Sequence, residues 1–398
     1  MKPLSEILKS VWNFRRNRVM LILPLSLGIA SCLPPSPGLT QFTGTLPASP
    51  KLDLSKPTVA VVLGNDFTEI TDVIAPYVAF KTAAEFNVVL VGEQRQPLAL
   101  SGGLEVIPHF SFAQLDKLLE RDPDLIVVPN VPNIEANEAL RLWVQKHGRG
   151  KSLVMSVCAG AAMLAATELI DGQTATTHWG DILRIEPTYP KVRWVRGQRY
   201  VDNGQFLSTA GILSGIDGSL HMIARMRGKA LAEKVANELH YPTQYLERPE
   251  MTQYGFGFMD AVFLLKFMVP SVRPEMGVAL FDGVDEMRLS ALYDVYTPWL
   301  ARRLEAVAPE QVITTKHGLQ LIAKRRPENW DATKEILLPG TDTSPQRPAW
   351  LRAFRVTPTQ ARDDEFAFDA ALKYLAQKVD LPTAEYAAKR IEYRWFQP

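Results

Sequence analysis

The chain has two cysteines, and the one at position 158 stands where a thiol could act as a nucleophile. The stretch Ser156 to Trp179 reads SVCAGAAMLAATELIDGQTATTHW, and it follows Lys151 to Met155, KSLVM, a short apolar run with strand character. Beyond the cysteine, Ala161, Met163, Leu164 and Leu169 recur at helical spacing, so Cys158 falls where a strand turns into a helix. A helix start points its first amides at the side chain above it, and that partial positive charge lowers a thiol's pKa. The expected chemistry is attack by a thiolate on a small electrophile. A cysteine between Val157 and Ala159 is equally at home as a small buried hydrophobe, and the turn alone leaves both readings open.

Cys32 belongs to a different pattern. Lys2, Lys9, Arg15, Arg16 and Arg18 precede the apolar run VMLILPLSLGIAS, which is short for a membrane span of about 20 apolar residues. The run ends in Ile29-Ala30-Ser31-Cys32, which resembles the bacterial lipobox, whose cysteine is lipidated and becomes the mature N-terminus. Residues 1–32 therefore read as a lipoprotein signal peptide with Cys32 as the lipidation site, or else as an uncleaved anchor. Either places the chain at the membrane of a bacterial cell envelope, on the periplasmic or extracytoplasmic side. The Pro/Ser/Thr/Gly-rich stretch within 33–56 reads as a disordered tether. With Cys32 lipidated, Cys158 has no disulfide partner and is a free thiol.

The elements that must position Cys158 follow from the rest of the chain. At 398 residues, with 46% hydrophobic and 22% charged residues, the composition is globular and long enough for two domains. Net charge is +1, and no basic cluster interleaved with aromatics follows the N-terminus, which argues against nucleic acid and for a small-molecule or protein partner. No His, Cys, Asp or Glu cluster has metal-ligand spacing, so neither metal nor cofactor is expected. From Thr58, short apolar runs such as TVAVVL, NVVLVG, DLIVVP and SLVMSV alternate with helical patterns, which predicts an α/β fold: a flavodoxin-like parallel sheet sandwiched by helices. Ligands on such sheets sit at the carboxyl ends of the strands, where Cys158 falls. An antiparallel excursion through Asn203-Gly204 and helices from Ile216 to His240 complete a first domain over 57–248.

Residues 249–275, with the apolar run Met259 to Val269, are predicted to form a connecting helix, and 276–398 repeat the first domain. MGVALFDGVDEMRLSALYDVYTPW parallels TVAVVLGNDFTEITDVIAPYVAF, and TKHGLQLIAKRRPENWD parallels LSGGLEVIPHFSFAQLD. Asp217, Leu220, Ala224, Ala232, Glu233 and Tyr241 fall on Asp369, Leu372, Ala376, Ala384, Glu385 and Tyr393, each pair 152 positions apart. Pro129 to Asp217 spans 88 positions but the matching Pro339 to Asp369 only 30, so the second copy is shortened and degenerate. It is expected to lack the inner strand, the cysteine and the turn that carries it.

The cysteine stretch, with STAGILSGIDGSLHMIARM downstream, resembles the ThiJ/PfpI superfamily, the group of the parkinsonism-associated deglycase, within the class I glutamine amidotransferase-like fold. It is most similar to isocyanide hydratases and to the sensor halves of amidotransferase-like AraC regulators, over roughly Thr58 to Tyr241. The resemblance implies that Cys158 pairs with a carboxyl group four residues before a proline, which here is Asp72 before Pro76, a carboxylic acid held protonated and able to relay a proton. It implies an oxyanion donor in the Ala159 amide. It sets His178, in TTHW, where the parkinsonism-associated branch carries TTHP, either as an acid or base near the thiol or as a packing residue. Two departures stand out: STAGILSGID has no histidine and glutamate two residues apart, which disfavours glutamine hydrolysis, and Pro129-Asn130-Val131-Pro132 replaces the paired glycines that supply a second oxyanion donor. Where the regulators attach a helix-turn-helix module this chain attaches the shortened second copy, so transcription control by direct DNA binding is not expected. The implied function is a cysteine-dependent hydrolase, hydratase or lyase acting on a small electrophile; the alternative is a non-catalytic ligand-binding or redox-sensing module using Cys158. A homodimer is one assembly open to it.

Overall fold

A computed structural model describes residues 42–242, 249–258, 260–263, 273–297, 299–341, 347–360 and 362–395. Cys32, the expected signal segment 1–32, residues 33–41 and 264–272 of the connecting segment lie outside the described residues.

Copy one runs β1 (Thr58–Val62), α1 (Ile70–Ala83), β2 (Asn87–Gly92), β3 (Leu98–Ala99), β4 (Glu105–Ile107), β5 (Phe110–Ser111), α2 (Phe112–Leu119), β6 (Leu125–Val128), α3 (Glu138–Arg149), β7 (Leu153–Ser156) and α4 (Gly160–Ala166). It continues through β8 (Thr174–Ala175), α5 (Ile182–Thr188), β9 (Arg193–Trp194), β10 (Tyr200–Asp202), β11 (Phe206–Thr209), α6 (Ser214–Arg227) and α7 (Lys229–Glu238). Seven strands form one sheet in the order β10-β11-β7-β6-β1-β2-β5, parallel except for β10. Helices cover both faces, so β1, β2 and β6 are buried at every residue, which is why they read as unbroken apolar runs.

Copy two runs β12 (Glu275–Ala279), α8 (Glu286–Tyr296), β13 (Arg303–Val307), β14 (Val312–Thr314), β15 (Gln320–Ile322), β16 (Ile336–Leu338), β17 (Val356–Pro358), α9 (Ala367–Lys378) and α10 (Leu381–Arg390). Its sheet, β13-β12-β16-β17, is parallel throughout and repeats β2-β1-β6-β7. The inner strand expected to be missing is therefore present as β17. What copy two lacks lies after that strand: the amide of Thr359 bonds to the Leu338 carbonyl as that of Val157 bonds to Val128, so Gln360 stands where Cys158 stands, and α9 begins seven residues later. In the strand-turn-helix units, the Leu63 and Leu280 amides bond to the equivalent carbonyls of Val91 and Val307, a register that sets Glu286 on Glu69 and Leu289 on Asp72.

The copies join across an antiparallel pair, β4 with β15, in which Val106 lies opposite Leu321, Glu105 opposite Ile322 and Ile107 opposite Gln320. Val106 and Leu321 are each other's counterparts in the repeat, so the contact is isologous, the self-complementary geometry of a two-fold dimer within one chain. Beside it α1 packs on α8. Both helices are buried around their whole circumference, which explains why ITDVIAPYVAF shows no polar face. One hydrophobic core runs through both copies.

Two boundary expectations change. Residues 42–56 are not a free tether: Ser49 donates to the His109 carbonyl at 2.7 Å, and Asp53 and Asn87 exchange bonds at 3.0 and 2.8 Å, fixing this stretch along copy one. In the connecting segment, 251–257 carry no helix, and helical residues begin only at Phe258.

Candidate functional site

Cys158 stands two residues past the end of β7 in left-handed backbone, φ 56°, a conformation that few non-glycine residues adopt and that concentrates at functional turns. The turn is held from three directions: the Cys158 amide bonds to the Ala210 carbonyl at 3.0 Å, the Cys158 carbonyl accepts from Thr177 Oγ1 at 2.9 Å, and Gly160 packs on β6. A Cβ at Gly160 would lie 2.2 Å from the Val128 carbonyl oxygen, so the turn excludes every other residue there. The small residues around the cysteine are thus a steric requirement of strand-to-helix reversal against a neighbouring strand.

The electrostatics differ from the expectation of a helix-stabilised thiolate. Burial pushes the Cys158 thiol well above its ordinary pKa; the charges of Asp72, Asp181 and Glu69 add to the rise, and only the Ala159 amide, bonded to the sulfur, opposes it. The reason lies in the turn. The amides of Gly160, Ala161 and Ala162 bond to the carbonyls of Val157, Cys158 and Ala159, so α4 offers the thiol no free donors beyond Ala159.

Asp72, in the first turn of α1, is fully buried. Its Oδ2 accepts from the Asn130 amide at 3.0 Å, and its Oδ1 has no hydrogen-bond partner. Burial raises its pKa well above the carboxylate range, the Asn130 amide pulls the other way, and Asp294 adds to the rise. The protonated form carries its proton on the unpartnered oxygen. The Asn130 amide engaged here is the one nearest to the lost glycine pair, and the Asn130 carbonyl accepts from the Glu69 amide. The Asn130 and Glu69 amides are thus both engaged, and neither is left to serve as a second oxyanion donor.

Sequence reasoning missed the carboxyl cluster around Asp72. Glu69 accepts from Ser101 Oγ at 2.8 Å and is raised well above its ordinary pKa by burial first and then by Asp294 of α8, to which it is hydrogen bonded. Thr71 Oγ1 also donates to Asp294. Copy two thus places an acid directly against copy one's acid helix, with Arg390 of α10 beside it at 3.7 Å. The recurrence of Glu69 as Glu286 was the available signal.

His178 is not brought to the thiol as a base. Its Nδ1 meets Asp181 Oδ2 at 3.1 Å and its Nε2 the Arg390 carbonyl at 2.9 Å. Both partners are acceptors, so this geometry requires a proton on each nitrogen. Burial alone would lower its pKa, but the bond to Asp181, the charge of Glu392 and the Arg390 carbonyl raise it. Glu392, fully buried, accepts from the amides of Trp179 at 2.8 Å and Gly211 at 2.6 Å. His178, Trp179 and Glu392 form the seam by which the end of copy two closes over the turn that follows Cys158.

A cavity of about 180 Å³ opens beside this seam, lined by Trp179, Ile182, Met251, Phe256 and Glu392 among others. Cys158 itself is 4% exposed. Among the described residues no group of three His, Cys, Asp or Glu side chains could hold a metal ion.

Residues 57–223 match the DJ-1/PfpI family, and this part of the chain is a DJ-1/PfpI family domain. An isonitrile hydratase of Pseudomonas putida is 29% identical over 175 residues, which cover 43% of this chain and 72% of the hydratase. The HTH-type transcriptional regulator CdhR of Pseudomonas aeruginosa is 29% identical over 185 residues, 45% of this chain and about half the regulator's length, 54%. A ThiJ/PfpI family protein from Pseudomonas syringae aligns over 53% of this chain and 85% of its own at 19% identity, with a TM-score of 0.43.

Proposed function

We propose that this DJ-1/PfpI family domain is a cysteine-dependent hydrolase, hydratase or lyase for a small electrophile, with Cys158 as nucleophile and Asp72 as proton relay. The observation that carries the reading is the buried, unpartnered Oδ1 of Asp72, together with the electrostatic effect of Asp72 on the thiol at the strained cysteine turn. A neutral thiol beside a neutral carboxylic acid suits addition across a polarised multiple bond. Sulfur bonds to the electrophilic carbon, the displaced electron pair settles on the neighbouring oxygen of a carbonyl or on that same carbon of an isonitrile, Asp72 protonates the atom that holds the pair, and the thiol's proton replaces the one Asp72 gave up. The Ala159 amide stands next to the sulfur, where negative charge develops. Water then releases the product and restores the thiol.

The Pseudomonas putida relative's name supplies the first substrate to try. The full chain incubated with an alkyl isonitrile should form the N-substituted formamide. Cys158→Ser should abolish the reaction, and Asp72→Asn should reduce it by 10²-fold or more, the usual scale for a general acid. A second reading, ligand binding without turnover, is favoured by the engagement of the Asn130 amide. It is the correct one if neither an isonitrile nor an α-oxoaldehyde is turned over while saturable binding survives Cys158→Ser. Redox sensing fits less well, because sensor thiols are accessible and acidic. Export and lipid attachment at Cys32 are part of the same proposal and rest on residues 1–32; among the described residues no helix is long and apolar enough to cross a membrane.

A further inference from the structure

We propose that the open cleft at the head of the second sheet is a separate binding site for a small organic acid carrying a hydrogen-bond donor next to its carboxylate, an α-hydroxy or α-amino acid. The cleft occupies in copy two the place that the cysteine site occupies in copy one. It is bounded by Gln360 at the cysteine's register, by the start of α8 at Asp285, and by the ends of α1 and α7 from the other copy. Its position at the carboxyl ends of β12 and β16 is where parallel sheets bind ligands. The chain that would have built a turn and helix over it is absent, since α9 begins seven residues after Gln360. The result is a polar cavity of about 370 Å³, within the size range of small-molecule sites.

Two groups in it lack partners of the kind they need. Gln360 is 8% exposed, and its Nε2 donates to the Glu365 carbonyl at 3.3 Å, which fixes the amide's orientation; the buried Oε1 then has no donor. Such an oxygen calls for an O–H or N–H from a ligand. Lys81, half-buried at the end of α1, lies 5.5 Å from the centre of the Tyr77 ring and makes no ion pair among the described residues, the Glu286 carboxylate acting on it only from beyond ion-pair distance. The cleft's other cations are matched: Arg288 pairs with Asp363 at 2.9 Å and Lys316 with Asp285 at 3.2 Å. Glu286, the acid beneath, is bonded to Thr315 and His317. One cation and one acceptor remain, and an anion with an adjacent donor satisfies both.

Isothermal titration of the full chain with glycolate, glycine, acetate and ethylene glycol tests this. Glycolate or glycine should bind saturably, acetate about tenfold more weakly or worse, and ethylene glycol not at all. Lys81→Met should weaken binding about tenfold or more, and Gln360→Leu should erase the preference for glycolate over acetate. Cys158→Ser should leave all of this unchanged, which separates the site from the cysteine site and from the activity proposed for it. Lys81 is at the rim, so that variant is expected to fold, and it decides alone if circular dichroism shows Gln360→Leu to be unfolded. The proposal is overturned if neither glycolate nor glycine binds at tens of millimolar, or if binding survives Lys81→Met and is lost in Cys158→Ser.

Discussion

Glu392 and His240 are counterparts 152 positions apart, and both hold left-handed backbone, with φ of 51° and 53°. Each follows the last helix of its copy and reaches the other copy's site: Glu392 the amides of Trp179 and Gly211, His240 the wall of the cleft at Gln360. The backbone keeps the two-fold relation while the side chains have diverged, an acid on the cysteine side and an imidazole on the other. Glu392→Ala would leave two buried amides without acceptors and should destabilise the chain by about 2–5 kcal/mol, with Glu392→Gln near the low end. Urea midpoints at constant slope measure this. A Glu392→Ala chain as stable as the parent would mean that water replaces the carboxylate at the seam.

The seam should make the protein most stable on the acid side of neutrality. His178 has a raised pKa, so its contribution is complete below its unfolded value of about 6.5 and is lost as pH rises through the higher folded value. Glu69, Asp72 and Glu392 are also raised, and their contribution falls as pH climbs from about 4 toward their folded values. Asp181 runs the other way: burial opposes its charge, but His178 and Arg184 hold it at about 2, so its contribution is present above about 4 and lost as pH falls toward 2. Unfolding free energy should therefore decline from pH 6 to pH 8.5. His178→Gln should flatten that decline; a slope unchanged by the substitution would remove His178 from the explanation.

Cys158 should alkylate slowly, with an apparent pKa above the free-thiol value of about 8.5, because burial and three nearby carboxyl groups disfavour its charge. Asp72→Asn should bring the apparent pKa down, because a carboxyl that ionises near the thiol as pH rises opposes formation of the thiolate. Iodoacetamide rates against pH measure both. Rapid labelling with an apparent pKa below 8.5 would restore the thiolate expected from the strand-to-helix turn.

Residues 273–398 expressed alone should aggregate or remain molten, since α8 is buried on all sides and α1 of the other copy is one of the helices that cover it. Residues 42–398 should unfold as one cooperative unit. A stable isolated fragment with a single sharp transition would show that copy two does not depend on the shared core.

Intact mass of membrane-extracted protein should show a chain beginning at a lipidated Cys32. Retention of residues 1–31 would leave the uncleaved anchor.

The layered α/β fold was readable because parallel strands buried on both faces leave unbroken apolar runs, and the repeat because Asp217 and Asp369 keep a constant register with Tyr241 and Tyr393. That register has a physical cause: Tyr241 donates to Asp217 at 3.0 Å, and Tyr393 is hydrogen bonded to Asp369. β17 escaped notice because three residues, VTP, carry no periodic pattern, and only pairing with β16 makes them a strand. Cys158 was legible as a turn residue, since glycine and alanine around it mark close backbone approach. Its charge state was not, because Glu69, Asp72 and Asp181 meet it only in three dimensions. The roles of Glu392 and Arg390 were equally hidden: they lie more than 200 residues from His178 in the chain and act through the fold of a copy that has no cysteine of its own.

The joining of β4 to β15 within one polypeptide also changes how the site responds to dilution. A site completed by a separate subunit comes apart as protein concentration falls below the dissociation constant, whereas a tethered partner is present at an effective concentration set by the linker, of millimolar order for a short flexible one. The groups that Asp294, Arg390 and Glu392 contribute are therefore in place at any abundance, down to a single molecule isolated from others of its kind.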